Sequence, residues 1–306
     1  MSIPLSRRDF LAQAAASAAA LALPAATAGA RGAGTTDPDH ARLLAWTSAL
    51  RAEGLSRAGA PLGPATVRVG ELAAGTPYQP GTLDAYLRAG GSPRRTEPLV
   101  LPLTRFDCVT LVESCLAVAR VAGSEGAPTW ERFGRQIERM RYRGGRRRGY
   151  PSRLHYFSEW IADGERRGLV QDRGAELGAV EDARPLRFMT DHRQSYPALA
   201  DDRVFADIGA VERRLDGHAR RVIPTKRIPT VVDRIETGDV LAFATEIPGL
   251  DVTHAALAYR DPGGVLRVLH APLSGGVVEI THTTLPEYVA AIRHATGILV
   301  ARALLG

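Results

Sequence analysis

A change of hydrophobic period divides this sequence of 306 residues. In the first part, apolar side chains recur at steps of three and four, the spacing of a helix face. Helices are predicted over 41–57, 67–73, from Cys108 to about 121, and over 128–142, 157–167 and 201–215. Beyond Gly238-Asp239, a turn, apolar residues come in short runs at 240–244, 252–259 and 265–271. Asp261-Pro262-Gly263-Gly264 separates the last two, so they are predicted to pair as a hairpin. Strands at 277–281 and 297–305 and a helix over 285–292 complete the chain. Helices first and an antiparallel sheet last is an α+β order. Residues 31–43 are predicted as a flexible leader, 60–64 as a loop, Gly75-Thr76-Pro77-Tyr78 as a turn and 99–103 as an extended segment. The stretch 170–230 is polar and, apart from the helix over 201–215, gives no readable period.

Chemistry concentrates at Phe106-Asp107-Cys108-Val109-Thr110-Leu111-Val112-Glu113. Asp107 is a good N-cap, so Cys108 opens the helix. There it faces unpaired backbone N–H groups and the positive end of the helix dipole, both of which favour a thiolate. A thiolate is a nucleophile. A buried apolar cysteine fits the same local pattern, and the local pattern does not choose between them.

The N-terminus carries an address. Ser6-Arg7-Arg8-Asp9-Phe10-Leu11 and the alanine-rich run after it match a twin-arginine export signal, with cleavage expected by residue 30. A general secretory signal is the alternative. Either route makes the mature protein exported, periplasmic or beyond. Loss of Arg7, Arg8 and Asp9 takes the formal charge from +6 to +5. No basic stretch interleaved with aromatics and no finger spacing accompanies that charge, so nucleic acid is not the expected partner. No later apolar run reaches the length of a membrane span, so stable membrane insertion is not expected. Export makes the two cysteines, Cys108 and Cys115, informative. Seven residues along one helix separates them by about 10 Å, beyond the roughly 7 Å a disulfide spans. Both are therefore expected to be free.

A cysteine nucleophile needs a base, and the base an orienting group. Of eight histidines, His254 opens one strand of the predicted hairpin and His270 closes the other. The two lie near one sheet end, where opposite residues are about 5 Å apart. A single strand-end histidine is usually an ordinary surface or core residue. A metal held by Cys108, His254 and His270 is a further arrangement, without the usual zinc spacing in its favour.

The Asp107-Cys108 block, Gly238-Asp239-Val240, Thr253-His254-Ala255 and Leu269-His270-Ala271, in this order, resemble the papain-like cell-wall cysteine hydrolases of the NlpC superfamily. In particular they resemble its N-acetylmuramoyl-L-alanine amidase-like branch. Gly75-Thr76-Pro77-Tyr78 and Arg153-Leu154-His155-Tyr156 are similar to that branch too. Where the superfamily often has glycine soon after the base, this chain has Ala255-Ala256. The resemblance implies a papain-like domain over 67–306 behind a leader and helix at 31–66, with a helical and loop insertion at about 124–230. It implies Cys108 as nucleophile, His254 as base and His270 as its orienting group, with no metal and no cofactor. Asp107, Tyr78, Arg153 and His155 become substrate-binding candidates. The implied reaction is hydrolysis of the amide between N-acetylmuramic acid and L-alanine in peptidoglycan fragments. The D-glutamyl–diamino acid bond, a non-catalytic wall-binding module and a thiol acyltransferase are the other readings. The implied partners are the muropeptide substrate and the twin-arginine export machinery.

Overall fold

The structure, a computed structural model, describes residues 37–57, 59–273 and 276–306. The export signal and residues 31–36 of the leader lie outside the described residues. Among those described, helices pack on a mixed-length antiparallel sheet, the expected α+β arrangement. None of these helices is long and apolar enough to cross a membrane.

Helix α1 (Pro38–Ala52) starts inside the expected leader, because Asp37 caps it and Pro38 occupies its first turn. Helix α2 (Leu62–Leu72) begins five residues before its expected start. Its Gly63, read from sequence as part of a loop, is a contact point instead. A Cβ there would lie 2.1 Å from the Thr237 carbonyl oxygen, and one on Gly238 would lie 2.3 Å from the Gly63 Cα. Gly238 also holds φ +85°, so the turn into the sheet and the seat of α2 require the same two glycines.

Helix α3 (Cys108–Gly123) is the centre of the helical layer. Asp107 accepts from the Thr110 N–H at 2.7 Å while Thr110 Oγ1 accepts from the Asp107 N–H at 2.9 Å, a reciprocal cap. Nearly every residue from Thr110 to Ala122 is buried, as expected of a helix apolar on all sides. Helix α4 (Trp130–Arg141) packs on it, and Arg141 pairs with the buried Glu113 of α3 at 2.7 Å. Helix α5 (Phe157–Arg166) follows, and the carboxylate of Asp251 accepts from the Ser158 N–H at its start.

The sheet differs most from expectation. Strands β1 (Val170–Asp172) and β2 (Val180–Asp182) precede helix α6 (Asp202–Leu215), and β3 (Arg220–Pro224) follows it. Then come β4 (Val240–Thr245), β5 (Val252–Arg260), β6 (Leu266–His270), β7 (Glu279–Ile280), helix α7 (Leu285–Ala291) and β8 (Ala295–Ala303). The order is β2-β3-β8-β4-β5-β6-β7, with β1 also on β8. The segment 170–230 therefore supplies three strands that its sequence did not reveal. Two are three residues long and two-thirds polar, too short for a period of two to show. The strand expected at 277–281 shrinks to Glu279–Ile280, and 99–103 forms no strand.

Both faces of the central sheet are covered. Val240, Ala242, Ala244, Ala255 and Leu257 join the core under α2 and α3. Leu241, Phe243, Ala256 and Ala258 join a second core with α7 and the turns at 225–234. Burial on both sides explains why β4 and β5 read as near-continuous apolar runs. The alanines on the α3 face bring that helix close to β5.

Candidate active site at the start of helix α3

The cap at Asp107 fixes where α3 begins, and so where Cys108 sits. Its sulfur is acted on by the backbone N–H groups of Ala255, Val109 and Cys108 itself. Ala255 follows His254 in β5, so the helix start abuts the strand that carries the histidine. Both cysteines are free, and Cys115 is buried in the core, as the helical spacing requires.

The two histidines meet, though not as direct opposites. The register pairs Leu257 with Leu269, which carries on to set His270 across from Ala256, two residues from His254. The rings close this diagonal, with His254 Nε2 2.9 Å from His270 Nδ1. The β4–β5 register shifts between Phe243 and Ala244, leaving Thr253 unmatched next to His254. Such a bulge re-aims a side chain at a strand end. Phe243 stacks on the His254 ring at 5.6 Å. Tyr288 of α7 packs edge-on against His270, its hydroxyl 3.3 Å from Nδ1.

Burial dominates the electrostatics. It pushes the Cys108 thiol up to about 12, with the Asp107 carboxylate adding to it and the three backbone N–H groups opposing. Desolvation of this half-buried sulfur thus opposes the helix dipole, which alone favours a thiolate. Burial also takes His254 down to about 3, with His270 contributing, and His270 down to about 4. At neutral pH the site holds a thiol and two neutral imidazoles. His254 is 8% and His270 2% exposed. His254 Nδ1 and His270 Nε2 are buried with no hydrogen-bond partner. Buried polar atoms normally find one, so these two nitrogens call for an explanation, as do buried atoms elsewhere such as Thr82 Oγ1 and Gln136 Oε1.

Tyr78 is beside this group. Burial raises its phenol pKa, and the Asp107 carboxylate adds to that. Asp107 spends its carboxylate on Thr110. Arg153 and His155 belong to a different cluster. Arg153 donates to Glu97 at 3.0 and 2.7 Å and to Asp84 at 2.9 Å, and lies over the Tyr150 ring. A substrate carboxylate would have to displace those partners. His155 Nε2 is 3.0 Å from the Tyr150 carbonyl oxygen, and burial followed by the charge of Arg153 keeps its pKa well below the usual imidazole value. Sequence reasoning missed Tyr288, Phe243 and Glu279, since nothing in a lone aromatic or acid marks it as a neighbour of His270. Among the described residues, no three His, Cys, Asp or Glu side chains are grouped to hold a metal ion.

No curated protein matches the chain. Among solved structures, an N-acetylmuramoyl-L-alanine amidase from Bacteroides uniformis is 29% identical, with TM-score 0.72, over 79% of this chain and 99% of its own. A Bacteroides fragilis protein with a provisional xylanase name is 33% identical, with TM-score 0.69, over 76% of this chain and 99% of its own. A Legionella pneumophila protein shares the fold at 17% identity and TM-score 0.62, over 87% of this chain and 94% of its own. The model of the AmiA-like family, described as N-acetylmuramoyl-L-alanine amidase-like, matches residues 68–298, a span that holds Cys108, His254 and His270, and the chain belongs to that family.

Proposed function

We propose that this protein is an exported cysteine amidase of papain-like, NlpC-superfamily type. It hydrolyses the amide between N-acetylmuramic acid and L-alanine in peptidoglycan fragments. The observation that carries the reading is the buried His254–His270 pair, whose free Nδ1 belongs to the residue before Ala255, at the sulfur of Cys108.

The chemistry follows from the neutral resting state. His254 Nδ1 takes the Cys108 proton as the sulfur bonds to the lactyl carbonyl carbon. His270 Nδ1 accepts from His254 Nε2–H and stabilises the imidazolium that forms. Helix-start N–H groups, Cys108's among them, hold the oxyanion. The C–N bond breaks as His254 returns the proton to the amine of L-alanine. Water, giving a proton to His254, then cleaves the thioester and restores the thiol. A glycosidase, as the xylanase name would imply, works through a pair of carboxylates, whereas the buried pair here is two imidazoles.

Mass analysis of products from purified muropeptides tests the reading. Free stem peptide beginning with L-alanine, together with the intact sugar lactate, is expected. A muramyl-L-alanyl-D-glutamate product would move the cut to the D-glutamyl bond, and unchanged muropeptides would make the chain a binding module. Export by the twin-arginine route is tested by replacing Arg7 and Arg8 with lysine. Precursor should then stay in the cytoplasm, and unaffected export would point to the general secretory route.

A further inference from the structure

We propose that Tyr288 and Glu279 are positioning residues that lock His270 in its Nε2–H tautomer, so that His254 keeps a bare Nδ1 for the proton of Cys108. The inference rests on the catalytic roles proposed above for Cys108 and His254.

His270 Nδ1 has two polar neighbours, His254 Nε2 at 2.9 Å and the Tyr288 hydroxyl at 3.3 Å. One neutral imidazole carries one ring proton, so two arrangements compete. With the proton on Nδ1, His270 donates to His254 Nε2, which must then accept. The proton of His254 is forced onto its own Nδ1, and an N–H there cannot take a proton from a thiol. With the proton on His270 Nε2, Nδ1 accepts from His254 Nε2–H, and His254 Nδ1 is a lone pair. Only the second arrangement is a base.

Two features of this chain favour the second. The Tyr288 phenol is held protonated chiefly by burial, with the Glu279 carboxylate adding to that. It is a donor available to Nδ1. On the far side, the register pairs His270 directly with Glu279 across β6 and β7. That places Glu279 Oε1 3.6 Å from His270 Nε2. Nε2 is buried and has no hydrogen-bond partner, so this carboxylate is the anion its N–H faces. Glu279 is 49% exposed, and solvent weakens its pull without reversing it. Donor on one side and anion on the other select the same tautomer. The choice passes through one hydrogen bond to His254.

The alternative is that Tyr288 only fills space against Phe243, 5.3 Å from its ring. The full chain labelled with 15N-histidine separates the two. Long-range ¹H–¹⁵N spectra at neutral pH report which ring nitrogen is protonated, and His270→Gln assigns the signals. The expected result is His270 as Nε2–H in the unmodified protein. In Tyr288→Phe with Glu279→Gln, a mixture should appear, with kcat lower by roughly ten- to a hundredfold, the range for partners that orient a catalytic group. KM should stay within about twofold, because neither residue is asked to bind substrate. Tyr288→Phe alone keeps the ring packing and carries a smaller shift of the same sign, so it stands in if the double variant does not fold. An Nδ1–H His270 in the unmodified protein would overturn the proposal. So would a tautomer shift without loss of kcat, or loss of kcat without a shift. The spectra do not depend on turnover, so failure of the amidase reading and failure of the tautomer lock are told apart.

Discussion

Two histidine clusters in this protein look alike until their hydrogen bonds are compared. In one, His155 lies 4.4 Å from the Tyr150 ring and uses the Tyr150 carbonyl. Beside it, Arg153, Glu97, Asp84 and Tyr142 pair with one another. In the other, His254 and His270 satisfy each other and leave one nitrogen orphaned on each outer side. Burial lowers the pKa of all three histidines. A depressed pKa therefore does not distinguish catalysis from architecture. The two outer ring nitrogens, left without partners, are what sets the His254–His270 pair apart from His155.

The comparison is broken most easily by substitution. His254→Ala is expected to lower kcat by on the order of 10⁶, as for removal of a base from a nucleophile–base set, in protein that remains folded. His155→Ala should leave kcat within a few-fold. Equal losses in both would erase the distinction. The Arg153 cluster should instead answer in stability. Glu97→Ala leaves a buried guanidinium without its main partner and should cost about 3–5 kcal/mol in urea unfolding, with kcat of the folded fraction little changed. A stable Glu97→Ala variant that has lost activity would return Arg153 to the substrate-binding role.

pH sharpens the same contrast. A base must be neutral, and an ordinary imidazole loses half its neutral form near pH 6.5. With His254 held down to about 3 and His270 to about 4, kcat/KM should stay flat from pH 7 to about 5. An acid limb centred at 6 to 7 would contradict the buried neutral pair. Stability should move first. The unfolded chain takes up protons at these histidines below about pH 6.5, and the folded chain does not. The contribution is full above that pH and is lost as pH falls toward 3 to 4. Replacing both histidines with glutamine should flatten this part of the stability profile. The smallest effect belongs to Cys115→Ala, a small cavity in the core costing about 1 kcal/mol, with no change in activity.

Legibility in the sequence followed the length and regularity of each signal. Asp107 capping a long apolar helix and the Asp261–Gly264 turn between two apolar runs were readable. They placed Cys108 at a helix start and His254 and His270 on neighbouring strands. The diagonal offset of the histidines was not readable, since it depends on the register and on the bulge at Thr253. Strands β1 to β3 were hidden because short strands take their stability from their partners, β8 for β1 and β3 and β3 for β2, rather than from their own pattern. The electrostatics of Cys108 were half legible for a related reason. The dipole is local and visible in sequence, whereas the desolvation that opposes it comes from residues far along the chain. Arg153 could be read as a cation, but its partners at 84 and 97 are supplied by the fold.

The central claim is that Cys108 is acylated during turnover. Acid-quenched reactions on muropeptides, digested and weighed by mass spectrometry, test it most directly. The account predicts a muramyl-lactyl thioester on the peptide carrying Cys108, absent in Cys108→Ala, which should also release no product. Undiminished hydrolysis by folded Cys108→Ala would contradict it.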